Sequence, residues 1–516
     1  MSDAELPHGW TWGQIREICT INPRTWTTRP DSGDSLSFVP MRAVEAGSGV
    51  LDPFQTKTYE EIKNKSLTKF QEGDVLFAKI TPCMENGKIA VASGLMQGRG
   101  VGSTEFHVLR PSKNMSARYL MHYLLRSKFR VEAEKNMSGA VGQQRVPKDY
   151  LARYPIPIPP LAEQYRIVQT LEDHLSRLDV ASRYVSHVQS LIPQQTHALY
   201  SAATEGSLAS GSKEPVPDFP SLRRSAWSRS QPGKKYRAPI GPNLSILPVV
   251  PNGWTVASLE SLTDPIRVIR YGILMPKVKS GGTVPYVEVK DLAGCTLHKK
   301  KLHLTSTELD EKFSGARIRA NDVLLAVRGS YDRSAVVPES LENANVSRDV
   351  ARLSPLPGLE ADYLNIYLQS RFAQQYLKNH ARGVAVKGVN IASVRAMPIV
   401  VPPLDLQQQI ISAVKEKLTA VEVISRTITH SLRRSAGLRE ALLERAFSGQ
   451  LAPQDPSDEP ASTLLNHIRA ESDDQEAKPK RANRTKKAAT PNATPSPPPR
   501  PSKPIPSDAV QQELPL

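Results

Sequence analysis

Apolar residues recur at intervals of three and four in two separate stretches of the chain. In residues 161–208 the recurring positions are Val168, Leu171, Leu175, Leu178, Val185 and Ile192, with Ser182 as a polar interruption. In residues 404–452 they are Ile411, Val414, Leu418, Val421, Ile428 and Leu432, with Ser425 as the matching interruption. This spacing, kept over about four heptads, predicts a long helix that packs a narrow apolar stripe along another helix. The simplest partner for each stretch is the other one.

Proline and glycine mark the ends of both predicted helices. Pro159-Pro160 and Pro402-Pro403 stand at the start, where proline is tolerated because the first helical turn does not need its N–H. Gly206 and Gly449 follow the last apolar positions, where glycine commonly caps a helix C-terminus.

The two helical stretches belong to a longer internal repeat. Residues 6–11 match 250–255 at an offset of 244, residues 73–79 match 321–327 at 248, and residues 154–161 match 397–404 at 243. Near-constant offsets with small slips indicate one ancestral unit of about 200 residues that was duplicated, with insertions in its loops. The chain therefore carries two related domains.

Each unit combines short strands with helices. Strands are predicted at Ser37–Met41, Val75–Ile80 and Phe106–Leu109, between turns rich in Gly, Pro and Asn. One helix is predicted at Ala117–Lys135, and its counterpart at Ala361–His380. The fold class is α+β, with each globular domain followed by its long helix.

The predicted domain organisation has six segments. They are a first domain (1–160), a first long helix (161–208), a mostly irregular linker (209–250), a second domain (251–403), a second long helix (404–452) and a tail (453–516). The tail is low in complexity and rich in Pro and Lys, which predicts disorder, with room for one short helix around Ala461–Arg469.

The charge of the chain is +16 at pH 7 and its isoelectric point is about 9.6. The excess of Lys and Arg over Asp and Glu is +3 in residues 1–208, +5 in 209–250, +8 in 251–452 and 0 in the tail. A basic folded region indicates a polyanionic partner, most often nucleic acid, although plain solubility would also account for the charge.

The cysteines and the N-terminus bear on cellular location. Cys19, Cys83 and Cys295 are far apart and form no Cys-x-x-Cys pair, which argues against a disulfide scaffold or a zinc site. The N-terminus has no apolar signal segment, and no run of 18 apolar residues is present. We expect a cytoplasmic protein.

The usual catalytic signatures are missing from the sequence. There is no phosphate-binding loop of the GxxxxGK[ST] type, no GxGxxG, no HExxH, no GxSxG and no Asn-Pro-Pro-Tyr/Phe. Glu288-Val289-Lys290, with Asp264 upstream, is the nearest approach to a nuclease signature. The matching residues of the first unit, Phe38–Arg42, contain no carboxylate, so a strand common to both units explains the segment better.

Polar and basic loops recur at the same two places in both units, and their residue types can bind base edges or phosphates. In the first unit the candidate DNA-binding residues are Lys79, Thr81, Asn86, Lys88, Gln143, Gln144, Arg145 and Lys148. In the second unit they are Arg328, Tyr331, Arg333, Lys387 and Asn390. The alternative for each residue is an ordinary solvated turn.

The paired order of short motifs resembles one known family. Each unit begins with Pro-x-Gly-Trp and ends with Pro-Ile-Pro-Ile-Pro-Pro-Leu or Pro-Ile-Val-Val-Pro-Pro-Leu. A Gln-containing helix start follows at Glu163-Gln164 and Gln407-Gln408-Gln409, and residues 446–451 close the second copy. Over roughly residues 6–452 the chain is similar to the specificity (S) subunit of type I restriction-modification enzymes, the HsdS family.

The resemblance implies that each globular domain is a target recognition domain. The two helices would run antiparallel, set the spacer of a split, asymmetric DNA site and dock two modification (M) subunits. It also implies that this chain has no catalytic centre and no cofactor of its own. S-adenosylmethionine would belong to the adenine-methylating M subunits, and ATP and Mg to the restriction (R) subunits.

Two other functions remain open at this point. One is a stand-alone bipartite DNA-binding regulator without a methyltransferase partner. The other is an enzyme whose site the motifs do not reveal. The first depends on whether the helices keep apolar surface for partners, for which Val188, Leu191, Leu199 and Ile424 are candidates because they lie off the main seam.

Overall fold

The structure is a computed structural model of the chain. It describes residues 6–477 except 24–25, 27–29, 53–54, 141, 210, 247–248, 275–281, 296, 298–301, 332 and 384–386. The described residues divide into two compact units, residues 6–165 together with 454–477, and residues 166–453. We call the globular parts of these units the first domain and the second domain.

The first domain is built from short strands and helices. Its strands are β1 (Thr11–Gln14), β2 (Cys19–Ile21), β3 (Ser35–Val39), β4 (Gln55–Thr58), β5 (Thr68–Gln71), β6 (Val75–Ala78), β7 (Ile89–Val91), β8 (Arg99–Gly102), β9 (Phe106–Pro111) and β10 (Pro155–Ile158). Its helices are α1 (Ile15–Ile18), α2 (Tyr59–Ile62), α3 (Ala117–Leu125), α4 (Ser127–Lys135) and α5 (Lys148–Arg153). The strands predicted at 37–41, 75–80 and 106–109 correspond to β3, β6 and β9.

Helix α6 (Leu161–Thr204) and helix α7 (Phe219–Ser230) lead into the second domain. Its strands are β11 (Thr255–Ser258), β12 (Arg270–Tyr271), β13 (Val284–Val287), β14 (His303–Thr305), β15 (Val323–Ala326), β16 (Ser334–Val336), β17 (Asn345–Val346), β18 (Val350–Leu353), β19 (Ala381–Arg382), β20 (Gly388–Val389) and β21 (Pro398–Val401). Its helices are α8 (Thr307–Lys312), α9 (Ala361–Leu368), α10 (Arg371–His380) and α11 (Ile391–Arg395), and α12 (Leu404–Phe447) and α13 (Ala461–Ala477) follow.

The predicted duplication is confirmed in the topology of the sheets. One sheet has the order β2-β9-β6-β7 in the first domain and β12-β18-β15-β16 in the second. A further sheet pairs β3 with β4 and, in parallel, with β8, and the second domain pairs β13 with β14 and β17 in the same way. The antiparallel pair β1-β10 has the counterpart β11-β21.

Repeated side-chain contacts explain why short motifs survive in both copies. The hydroxyls of Tyr119 and Tyr123 donate to the carbonyls of Pro157 and Pro155, at 2.9 and 2.8 Å. In the second domain Tyr363 and Tyr367 donate to Val400 and Pro398, at 2.8 and 3.0 Å. These hydrogen bonds tie a helix to the Pro-rich strand that precedes each long helix.

A buried glutamine in the first turn of each long helix repeats a second contact. The side-chain oxygen of Gln164 accepts from the Ser116 N–H at 2.9 Å, and its amide donates to the Pro159 carbonyl. Gln407 accepts from the Glu360 N–H at 2.8 Å and donates to the Pro402 carbonyl. Because both glutamines are fully buried, losing these hydrogen bonds would leave desolvated polar groups at the junction of domain and helix.

The long helices form the predicted pair. The hydroxyls of Ser182 and Ser435 lie 2.7 Å apart, and Arg439 forms an ion pair with Asp179. From Ser182 back to Asp179 in α6, the partner moves forward from Ser435 to Arg439 in α12, so the two helices are antiparallel. Every predicted seam position is buried or half-buried. The two matching polar positions do not face each other, because antiparallel pairing places Ser435 rather than Ser425 opposite Ser182.

The prediction of one helix at 117–135, and of another at 361–380, is wrong because each is two helices. Arg126 takes an extended conformation (φ −60°, ψ 138°) between α3 and α4. Ser370 does the same between α9 and α10, and its Oγ accepts from the Ala373 N–H at 3.3 Å as an N-cap. Serine therefore begins a new helix where the sequence pattern alone continued the old one.

Two helices lie in segments that the sequence assigned to the linker and the tail. Helix α7 begins after the N-cap Asp218, and it buries Phe219 in the second domain. The short helix that the sequence allowed around Ala461–Arg469 is present as α13 in the first unit, and the prediction of disorder is wrong for the rest of that helix, up to Ala477. The remainder of the predicted tail, 478–516, lies outside the described residues.

Candidate nucleic-acid interface

In the first domain the two predicted polar loops lie side by side. The first follows β6 and spans 79–88, and the second spans 142–148 and leads into α5. The Thr81 N–H donates to the Gln144 carbonyl at 3.0 Å, and the Val146 N–H donates to the Lys79 carbonyl at 2.8 Å. Segments that are more than 50 residues apart in the chain are thereby joined into one surface.

The second domain joins its loops with the same two hydrogen bonds. The Gly329 N–H donates to the Lys387 carbonyl at 2.9 Å, and the Val389 N–H donates to the Val327 carbonyl at 2.7 Å. The repeat offsets relate these residues to Thr81, Gln144, Val146 and Lys79 in that order. Both domains therefore present their candidate residues at an equivalent place.

Several candidates of the first domain already have protein partners. The Lys79 ammonium donates to the Thr104 carbonyl at 2.7 Å, and the Thr81 hydroxyl donates to Glu85 at 2.7 Å. Lys88 donates to the Met41 and Val44 carbonyls at 3.1 and 2.9 Å. Lys88 is thus held by the fold, and we leave it out of the proposed DNA-binding surface. Exposed or half-exposed candidates are Asn86, Gln143, Gln144 and Lys148.

Arg145 forms a two-pronged ion pair with Glu105. Its Nε and Nη2 donate to the two carboxylate oxygens, each at 2.8 Å. The hydrogen bonds from Arg145 hold the pKa of the Glu105 carboxyl below its usual value, against the opposing effect of burial. The pair orients a partly exposed guanidinium, so Arg145 would have to share or exchange Glu105 to contact DNA.

The candidates of the second domain differ in how far they are free to reach outward. Arg328 and Lys387 are exposed. Asn390 is also exposed, but its side-chain oxygen accepts from the Ala392 N–H at 2.9 Å and caps α11. Tyr331 is half-buried against the domain core, and Arg333 donates to the Val289 carbonyl at 3.4 Å.

A cleft beside these loops was missed by the sequence reasoning. It has a volume of about 840 Å³ in the second domain, and its lining includes Arg270, Arg328, Arg348, Arg382 and Arg395. Only Arg328 was predicted, because the other arginines lie outside the loops that resemble each other in the two units. The charge excess of +8 in residues 251–452 was the available signal. Guanidinium groups in a cleft of this kind are suited to phosphate oxygens.

Both domains that carry these loop surfaces match one known protein family. The sequence model of the family described as the type I restriction modification DNA specificity domain matches residues 7–182, and it matches again at residues 253–430. The chain belongs to this family. The two matches fall on the two domains that share sheet topology and loop contacts.

Curated relatives agree with the family. The specificity subunit of the type I restriction enzyme EcoEI from Escherichia coli is 26% identical over 514 residues, which cover 86% of this chain and 83% of that protein. The EcoAI specificity subunit from Escherichia coli is 40% identical over 176 residues, 34% of this chain and 29% of that protein. The EcoKI specificity subunit from Escherichia coli (strain K12) is 21% identical, over 91% of this chain and 97% of that protein.

Two solved structures share the fold. A chain from a study of complex assembly and conformational transition of the type I R-M system is 20% identical with a TM-score of 0.64. The match covers 87% of this chain and all of that one. The HsdS subunit from Thermoanaerobacter tengcongensis has a TM-score of 0.50 at 20% identity, over 87% of this chain and 99% of that one.

In this specificity protein, the two carboxylates that suggested a nuclease form ion pairs or hydrogen bonds within the fold. Glu288 lies 2.7 Å from the Lys290 ammonium and 3.0 Å from His303. Asp264 accepts from the N–H groups of Ile266 and Arg267 at 2.7 and 3.1 Å. Within the described ranges, no three His, Cys, Asp or Glu side chains are grouped so as to hold a metal ion.

The part of the specificity protein that the structure describes contains no helix with both the length and the apolar composition needed to cross a bilayer.

A buried histidine connects the loops of the first domain to its sheet. His107 Nε2 lies 2.9 Å from the Val146 carbonyl, and Nδ1 lies 3.0 Å from the Asn22 amide nitrogen. A neutral ring that carries its proton on Nε2 satisfies both contacts. Burial lowers the pKa of His107 from the ordinary 6.5, and Lys79 and Lys148 act in the same direction while the Val146 carbonyl and Glu105 oppose it.

We expect the stability of the chain to fall on acidification below about pH 6.5, because the unfolded state then binds a proton that the folded state excludes at His107. The contribution is present above that pH and is lost as the pH falls toward the lowered pKa. His107→Gln should flatten this part of the curve of unfolding midpoint against pH. His187→Gln, at an exposed site on α6, serves as the control, and equal curves for both variants would contradict the assignment.

Proposed function

We propose that this chain is the non-catalytic specificity subunit of a type I restriction-modification complex, in which each domain reads one half of a bipartite, asymmetric DNA site. The observation that carries the proposal is the repeated pair of hydrogen bonds that joins two polar loops at the same place in both domains. Arg, Lys, Gln and Asn in such loops can read base edges in the major groove and bind phosphates. Divergent side chains on equivalent loops suit two different half-sites.

The paired helices support a role in setting the spacer between the half-sites. Helices α6 and α12 each contain 44 residues, which corresponds to about 66 Å at 1.5 Å per residue. That length exceeds one turn of duplex, roughly 34 Å. The last turns of α6 bury Tyr200 and Ala203 in the second domain core, and the Ser201 Oγ accepts from the Arg371 N–H at 3.0 Å. These contacts fix the end of α6 to the second domain and so restrain sliding of the helix along it.

Exposed apolar residues on the helices support docking of partner subunits. Val180 and Val423 occupy equivalent positions in the repeat, and each is 57% exposed. Leu191 and Ile424 are also exposed as predicted, and Val188 is half-buried, whereas Leu199 packs against the second domain. Equivalent apolar positions on two equivalent helices fit two copies of one partner, which we assign as the adenine-methylating M subunits.

The cofactors of the complex would lie outside this chain. We assign S-adenosylmethionine to the M subunits, and ATP and Mg to R subunits that add cleavage. The complex would act on cytoplasmic DNA.

Methylation mapping of a host that carries this chain with its M partner tests the proposal. We expect a split motif with adenine methylation in both halves, lost on deletion of the gene for this chain. A contiguous motif, or methylation or cleavage of DNA by the purified chain alone, would contradict the proposal. Co-purification with an M subunit separates the complex from a stand-alone regulator.

Lys387→Ala is expected to weaken binding of the cognate duplex, because this exposed lysine lies at the junction of the two loops of the second domain. If Lys387 reads a base, the loss should be about 1–3 kcal/mol and preference should relax at one position. If it holds a phosphate, binding should weaken on every sequence. Duplex binding over a salt series distinguishes these outcomes. Lys312→Ala, at the exposed end of α8, is the control, and equal affinity for both variants would remove Lys387 from the interface.

A further inference from the structure

The arginine cleft of the second domain has a counterpart at the same place in the first domain. A cleft of about 280 Å³ there is lined by Asn22, Lys69, Lys79 and Thr104 among others. Strand pairing relates the two clefts. In the first domain Ile21 lies opposite Leu109, so the next residue, Asn22, is aligned with the residue before Leu109. In the second domain Arg270 lies opposite Arg352, the residue before Leu353, which is the equivalent of Leu109. Asn22 and Arg270 are therefore equivalent.

The other cleft arginines can be placed in the same way. The Lys79 N–H donates to the Glu105 carbonyl, and the Val327 N–H donates to the Asp349 carbonyl, which makes Thr104 the equivalent of Arg348. Ile80 bridges to Arg145 as Arg328 bridges to Gly388, so Ile80 and Arg328 are equivalent.

The two remaining arginines also lack a charged counterpart. Arg382 pairs with Gly388 as Ser138 pairs with Arg145. Arg395 is the last residue of α11, and the repeat offset of 243 relates it to Ala152 in α5. All five arginines that line the cleft thus stand where the first domain has uncharged residues.

Three of the five arginines are placed to meet a ligand. Arg270 and Arg328 are exposed, and the side chain of Arg348 is 47% exposed with its Nε 3.7 Å from Asp349. Arg382 and Arg395 are bound more closely by the fold. The first donates to the Asn379 carbonyl at 2.7 Å, and the second donates to the Ile269 carbonyl at 2.9 Å.

Among the residues that the structure describes, the first-domain cleft has fewer cations than the second, and these are already engaged. Lys79 donates to the Thr104 carbonyl at 2.7 Å, and the Lys69 ammonium lies over the Trp26 ring at 5.1 Å from its centroid. A phosphate would have to compete with these contacts. In their described linings the two clefts therefore differ in both the number and the availability of their positive groups.

We propose that the two domains contribute unequally to DNA affinity. The cleft of the second domain binds backbone phosphates through Arg270, Arg328 and Arg348 and supplies the larger share of the salt-dependent affinity. The first domain reads its half-site with weaker attraction to the backbone. This inference rests on the proposed DNA-binding function. Each neutralised phosphate releases condensed counterions, so the slope of log K against log salt reports how many phosphates the chain neutralises. The change in this slope when the cations of one cleft are removed measures the contribution of that cleft.

Exchange of equivalent residues between the clefts tests the proposal in the full-length chain. The variant Arg270→Asn with Arg348→Thr places the side chains of the first cleft at two of the five arginine positions of the second. We expect its salt slope to be shallower by up to about 1.8, at roughly 0.9 per lost phosphate contact. The change should be the same on cognate and unrelated duplexes, because phosphates carry no sequence information. Removal of two charges from the other cleft, Lys69→Gln with Lys79→Gln, should change the slope less.

Two more variants keep the test decisive. Arg270→Lys with Arg348→Lys retains the charge and should retain most of the slope, whereas Thr104→Arg should steepen it by placing a cation in the first cleft. An equal or larger loss of slope in the first-cleft variant would overturn the proposal, as would loss of slope in the lysine variant. If the parent chain shows no salt-dependent binding to any duplex, the proposed function itself fails.

Discussion

Inserting one heptad into both long helices, after Ala181 in α6 and after Ile424 in α12, is expected to lengthen the preferred spacer by about three base pairs. The two sites are equivalent in the repeat, and seven residues preserve the apolar seam. The insertion adds about 10.5 Å at 1.5 Å per residue, and each base pair rises about 3.4 Å. Binding to duplexes with fixed half-sites and graded spacers measures the shift.

The half-sites themselves should not change, since the insertion touches neither domain. Insertion of four residues into α6 alone provides the comparison, because it moves the seam of one helix out of phase with the other. That variant should unfold at a lower temperature and bind every spacer poorly. An unchanged spacer in the heptad variant, or a changed half-site, would show that the helices do not determine the spacing.

Truncation after Pro453 is expected to destabilise the first domain strongly. It removes α13, in which Leu464, Leu465 and Ile468 are each no more than 4% exposed. Full burial of such side chains contributes about 1.5–3 kcal/mol each to the free energy of unfolding. The sum for the three, about 5–9 kcal/mol, is an upper estimate because the unfolded chain already buries part of this surface. Domains of this size have a total stability of roughly 5–15 kcal/mol. The loss should appear as early thermal unfolding and as reduced hydrogen-exchange protection in β1 and α1.

Truncation after Ala477 is the matched control, because it keeps α13 and removes only residues 478–516. It should unfold like the parent. The ion pair of Arg469 with Glu17, 2.8 Å between partly exposed groups, should add little. If the chain that ends at Pro453 kept the exchange protection of the parent in α1, the packing of α13 would not stabilise this domain.

Helices α7 and α13 follow the two long helices at nearly the same place in the repeat. Helix α7 begins at Phe219 and α13 begins at Ala461, a separation of 242 that lies one residue below the smallest repeat offset, 243. Their sequences share little, so the sequence assigned the first to a mostly irregular linker and allowed only a short helix around Ala461–Arg469 in an otherwise disordered tail. Helix α13 is held by tertiary contacts such as the Ala461 N–H to Gly9 carbonyl hydrogen bond at 2.9 Å.

The candidate residues show a similar limit. The sequence placed Lys88 and Arg145 together as loop cations, but Lys88 serves two backbone carbonyls and Arg145 is paired with Glu105. A basic residue in a loop has the same composition whether its donors face solvent or the fold. The distinction depends on which carbonyls and carboxylates the fold brings within hydrogen-bonding distance.

The sequence by itself determined the duplication, the two seam-forming helices, the α+β class and the general position of the paired loops. These features follow from local periodicity and from similarity at a fixed offset, which a linear chain displays directly. Only the tertiary structure decided the antiparallel register of the helices, the docking of α13 and the grouping of Arg270, Arg348, Arg382 and Arg395 with Arg328 in one cleft. Those features join residues up to several hundred positions apart, and the contacts between them leave no periodic trace in the sequence.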